Sequence, residues 1–96
     1  MLFDELQGKK IQIMHLASQY GARRIRVFGS VARGHERSDS DIDFLVDFPK
    51  GYDLFSQRLS LAEELAQLTG RSIDLIPEHE LNPHLRPIIL QEVRDL

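Results

Sequence analysis

Residues Phe28–Val46 read FGSVARGHERSDSDIDFLV. A Gly29-Ser30 turn is followed, after ten intervening residues, by Asp41-x-Asp43. Side chains at i and i+2 of a strand share one face, about 6.5–7 Å apart. Asp41 and Asp43 therefore stand together, while Ile42, Phe44 and Val46 take the opposite, core-facing side. At an effective dielectric near 20, two carboxylates at that separation repel by about 2–3 kcal/mol. Stability alone gains nothing from such a pair. A cation between them reverses the sign, and converging carboxylates of this kind can bridge two divalent ions about 3.5–4 Å apart. The chain has no cysteine and no clustered histidine, so hard oxygen ligands point to Mg2+ or Mn2+.

A third acid, Asp74, lies between Ile73 and Leu75 in SIDLI. If its strand neighbours the first acidic one, it meets Asp41 and Asp43 on one face. The pattern equally suits a solvated residue on a half-exposed sheet, and sequence leaves both open. Asp39 is read as a loop acid. Asp47 falls about 20 Å from Asp41 along the strand; Asp39 and Asp47 are both read as solvated.

The Gly29-Ser30 turn joins a strand to a short helix. Free N–H groups at such a junction suit a phosphate. Gly29 permits close approach of an anion, and Ser30 adds a hydroxyl and is expected to cap the helix. The motif is neither GxxxxGK[ST] nor GxGxxG. Alone it is an ordinary turn; its weight comes from the fixed distance to Asp41 and Asp43.

Around this stretch, Phe3, Leu6, Ile13, Ala17 and Tyr20 recur at helical spacing. They predict one helix over residues 3–20, its stripe widened by Met14 and Leu16, weakened at Gly8 and stopped at Gly21. RIRVF (24–28) reads as a strand, Val31–Gly34 as a short helix and Asp41–Phe48 as the acidic strand. Asp53 is placed to cap a helix over 54–69, with Phe55, Leu59, Ala62, Leu65 and Leu68 apolar and Gly70 at its end. Ser72–Ile76 is a third strand. Residues 83–95 read as a last helix that tolerates Pro87 only in its first turn. This order predicts an α/β (α+β) fold, a small β-sheet layered with helices.

The chain has 96 residues, 42% apolar and 28% charged, with net charge -3. That fits one small domain over residues 1–96, of a size that folds marginally and suits a stabilising partner. The acidic balance argues against broad nucleic-acid binding, which needs a basic footprint. No apolar run approaches the roughly 18 residues of a membrane span, and MLFDELQGKK lacks a signal core. A cytoplasmic location is expected.

GSVARG, then SDSDIDFLV, then IDLI and a closing NPHLRPIILQEV resemble the minimal nucleotidyltransferases of prokaryotes, within the polymerase-beta-like nucleotidyltransferase superfamily. The resemblance covers nearly the whole chain. It implies a mixed sheet flanked by helices and a metal-dependent transfer of AMP from ATP to a hydroxyl. Asp41, Asp43 and Asp74 are then the catalytic, metal-holding carboxylates, and Gly29 and Ser30 bind the phosphates. Arg33, one turn further on, can steady phosphate charge or simply face solvent. Arg23, Arg24 and Arg37, and all four histidines, are read as surface residues. The resemblance further implies a HEPN-domain toxin as partner and acceptor through a tyrosine hydroxyl, this chain being the antitoxin. Two other readings stand beside it: a non-catalytic antitoxin that neutralises by covering its partner, and a small-molecule nucleotidyltransferase. A missing second, substrate-holding domain disfavours the last.

Overall fold

The computed structural model describes residues 1–96. The helix expected over 3–20 is two helices, α1 (Leu2–Gly8) and α2 (Lys10–Gln19). The break falls at Lys9, whose ψ of 14° leaves the helical range, beside Gly8, which loses more backbone freedom in a helix than any other residue. Leu2, Phe3, Leu6, Ile13 and Ala17 still face the core, whereas Met14 is exposed.

Next come β1 (Ile25–Phe28), α3 (Gly29–Arg33) and β2 (Ile42–Val46). Ile42, Phe44 and Val46 are fully buried, as the alternation requires. Asp53 caps the following helix, its Oδ2 accepting the Ser56 N–H at 2.7 Å. That helix opens with a π-helical stretch, Leu54–Leu59, and continues as α4 (Ser60–Thr69). The wider turn carries more residues per revolution than an α-helix and rotates the apolar face. Phe55 and Leu59 therefore point to solvent, and Leu61 joins Leu65 in the core.

β3 (Ile73–Pro77) leads through a single 3-10 turn, Glu78–Glu80, to α5 (Arg86–Glu92). Pro87 lies in the first turn of α5, where its missing N–H costs nothing. The last helix is shorter than expected. Val93 is extended (ψ 142°), and Arg94–Asp95 form β4, which pairs with the otherwise open edge of β1 through Arg26↔Asp95 and Val27↔Arg94.

The sheet order is β3-β2-β1-β4. β1 is antiparallel to both neighbours, and β2 and β3 are parallel, joined by the α4 crossover. The sheet is mixed, as expected. One face packs on α1, α2 and α4 around a 17-residue apolar cluster. The opposite face bears Asp43 and Asp74, with Leu45 and Arg26 buried further along it. No helix is long and apolar enough to cross a membrane.

Candidate active site

The acids meet through strand register. In the parallel pair β2·β3, Asp43 stands opposite Asp74, and in β1·β2 it stands opposite Phe28, the last residue before the Gly29-Ser30 turn. Acids and turn thus share one end of the sheet. Asp41 is exposed just before β2, Asp43 is half-buried and Asp74 is exposed. Ile42 N–H donates to the Ser72 carbonyl at 3.0 Å, extending the ladder and keeping Asp41 beside β3. Arg71 holds the approach to Asp41 by donating from Nη1 to the Arg37 and Ser40 carbonyls at 2.9 and 3.2 Å.

Burial pushes the Asp43 carboxyl up to about 6; the charges of Asp74 and Asp41 and a side-chain hydrogen bond with Asp74 push the same way, and Glu92 adds a smaller push. These are the signs expected of a carboxylate desolvated among like charges. The donor set is all oxygen and carries excess negative charge, which suits a hard divalent cation. No three acidic or histidine side chains converge into a ready-made metal cage. Magnesium is commonly held by one or two carboxylates together with substrate phosphates, and that division of labour fits the present arrangement.

Gly29 has φ +70°, a left-handed conformation that side-chain-bearing residues rarely adopt. A Cβ there would sit 2.9 Å from the Asp43 carboxyl carbon and overlap its Oδ2. The absent side chain is what lets the turn lie directly on the acid. Ser30 is not a helix cap, contrary to expectation. Phe28 holds the cap position and no side chain caps α3, because the helix begins one residue before Ser30. The Gly29 N–H instead donates to Glu92 Oε1 at 3.0 Å, and Arg33 Nη1 donates to Glu92 Oε2 at 2.8 Å.

Glu92 is the site residue that sequence reasoning missed; its contact with Gly29 spans 63 residues, and no local pattern marks it. Asp39 is exposed. Asp47 pairs with Arg23 at 3.4 Å and Arg24 with Asp95 at 3.2 Å, all near solvent. All four histidines are exposed. The two largest concavities, about 570 and 340 Å³, lie between α2 and α4 and beside the Gly21 turn. Neither is lined by the aspartates; with Asp41 and Asp74 exposed and Asp43 half-buried, the acidic end of the sheet is an open shelf.

This geometry agrees with what the chain resembles. The family profile of the nucleotidyltransferase domain matches residues 10–96. Protein adenylyltransferase MntA of Thermococcus cleftensis is 38% identical over 78 residues, 81% of this chain and 78% of that protein. MJ0435 of Methanocaldococcus jannaschii, provisionally named a protein adenylyltransferase, is 33% identical over 100% of this chain and 99% of its own length. A solved structure described provisionally as a minimal nucleotidyltransferase superposes with a TM-score of 0.86 at 40% identity, covering 100% of this chain and 97% of that one. Two more distant structures share the fold. A toxin–antitoxin with AMP-PNP has TM-score 0.75, 24% identity and coverage of 90% and 70%. A tri-AMPylated Shewanella oneidensis HEPN toxin in complex with MNT antitoxin has TM-score 0.70, 22% identity and coverage of 93% and 69%. The chain belongs to the nucleotidyltransferase domain family, among the minimal nucleotidyltransferases, and is an enzyme of that class.

Proposed function

We propose that this chain transfers AMP from ATP to a side-chain hydroxyl, of a tyrosine by preference, on a HEPN-domain toxin, and so serves as its antitoxin. The observation that carries the chemistry is the single end of the sheet where Asp43 stands opposite Asp74 and directly against Gly29. The acceptor class rests on the relatives: protein adenylyltransferases by name, and a fold neighbour bound to an AMPylated HEPN toxin. An open shelf also suits a macromolecular acceptor better than a small molecule, which normally needs a cleft.

The reaction forms a bond from the acceptor oxygen to the α-phosphorus and breaks the bond to the bridging oxygen, releasing pyrophosphate. Asp41, Asp43 and Asp74 are the residues to hold magnesium or manganese, which when bound would neutralise triphosphate charge and acidify the acceptor hydroxyl. Ser30 Oγ–H orients the phosphates, and Gly29, having no side chain, lets them approach the turn closely. The Arg33 guanidinium, half-exposed beside the turn, adds positive charge where the pyrophosphate leaves. Asp74, at the exposed edge, takes the acceptor's proton.

The test is incubation with α-labelled ATP, magnesium and a HEPN-domain toxin as acceptor. Label should move to the partner, and Asp41→Ala with Asp43→Ala should abolish transfer. Protection by the double variant without any transfer would replace this reading with neutralisation by covering alone.

A further inference from the structure

We infer that Glu92, on the last turn of α5, is a positioning residue for nucleotide binding, acting through Arg33 and the Gly29 turn. This rests on the reading that Gly29, Ser30 and Arg33 hold the triphosphate.

α3 has five residues and no side-chain cap; Val31 and Ala32 pack its inner side into the core, but neither fixes its two ends, Gly29 and Arg33. Glu92 reaches it from the other end of the chain. One carboxylate oxygen takes the Gly29 N–H and the other takes Arg33 Nη1, so the two ends of α3 are fixed by one side chain. The Glu92 side chain is only 20% exposed, while that of Arg33 is 49% exposed. The more shielded partner anchors and the exposed partner stays available. A guanidinium has five N–H donors, and the Glu92 contact uses one of them.

The placement also has a cost. Glu92 adds to the negative charge that raises the Asp43 carboxyl. A carboxylate whose charge is felt by another is disfavoured unless its bonds offset the repulsion, and hydrogen bonds to a charged group are the stronger kind. α5 has no fully buried residue, so packing alone holds it loosely. The Glu92 bonds therefore tie α5 to α3, and with it the orientation of Arg33.

The experiment is titration calorimetry with AMP-PNP and magnesium on the full chain, using wild type, Arg33→Ala, Glu92→Ala, Glu92→Gln and the Arg33→Ala/Glu92→Ala double variant. Glu92→Ala should weaken the nucleotide about 10-fold, as expected when a charge-assisted contact loses its geometry. Glu92→Gln keeps an acceptor for the Gly29 N–H but no charge, so it should retain the fold and lose about 3-fold. The double variant should lose less than the product of the two single losses, because the part of the Glu92 effect that runs through Arg33 is already gone in Arg33→Ala. If Arg33→Ala weakens binding while both Glu92 variants match wild type, melting temperature alone having dropped, Glu92 is only structural and the inference is overturned. Tighter binding by Glu92→Ala also overturns it, showing a carboxylate that masks the turn. Binding unaffected in every variant, Arg33→Ala included, overturns the phosphate reading together with the inference.

Discussion

At the scale of single residues, Asp43 concentrates the competing demands. Its carboxyl is raised from the ordinary aspartate value to about 6, by burial first and then by Asp74 and Asp41. The folded state therefore holds a proton that the unfolded state has released between about pH 4 and 6. Stability falls as pH rises through that window, and the penalty is complete above it. Asp43→Asn should stabilise the chain by about 1 kcal/mol at pH 7.5, after discounting for solvent screening of a half-exposed group, and by nothing at pH 3. Thermal melts at both values check this. The same variant should lose transfer, the trade expected where a strained site serves activity. Gly29→Ala acts on the other side of the contact. With φ at +70° and the Asp43 carboxylate in the way, it should cost about 1–3 kcal/mol and abolish nucleotide binding. A melt unchanged from wild type would show that the turn has another conformation open to it.

Among the elements, Arg26 and the 3-10 turn make the second charged contact of the acidic sheet face. The Arg26 side chain is 9% exposed, and its Nη2 donates to Glu78 Oε1 at 2.7 Å. This bond holds the Glu78 carboxyl below its usual range, so its stabilisation is present near neutrality and is lost as pH falls through the Glu78 pKa. Glu78→Ala leaves the buried guanidinium unpaired and should cost about 2 kcal/mol, measured by urea unfolding at pH 7. The cost should shrink as pH is lowered through the Glu78 pKa. Leu65→Ala, on the fully buried face of α4, should cost about 3 kcal/mol at any pH.

The elements also show how far sequence reaches. Asp53, the stop at Gly70 and the Ile42-Phe44-Val46 face were legible because caps and period-two burial are local properties. Asp41, Asp43, Asp74 and the Gly29 turn were legible as residues, and only register could join Asp74 to the rest. β4 was not legible. Arg94 and Asp95 continue a helical pattern on paper, and their strand exists because the β1 edge offers unpaired backbone groups. The rotation that exposes Phe55 comes from the π-helical stretch after Asp53, which no residue pattern announces.

Across the whole molecule, a four-stranded mixed sheet is covered by helices on the core side and carries its acids on the other, at the end where β1 gives way to α3. The parallel β2·β3 pair sets Asp43 beside Asp74, and the antiparallel β1·β2 pair delivers the Gly29 turn to the same end. Glu92 then closes the circuit from the C-terminal segment. The shelf so formed is open, and a nucleotide and a protein acceptor would supply its missing walls. Exposed Leu54, Phe55, Leu85 and Ile88 leave apolar surface for such a partner, in line with the limited core of a chain this size. The central claim is that these aspartates bind nucleotide through a divalent cation. Calorimetric titration with AMP-PNP, with and without magnesium, tests it on wild type and on Asp41→Asn/Asp43→Asn. The account predicts magnesium-dependent binding by wild type and its loss in the double variant. Equal affinity in both proteins, or binding indifferent to magnesium, would contradict it.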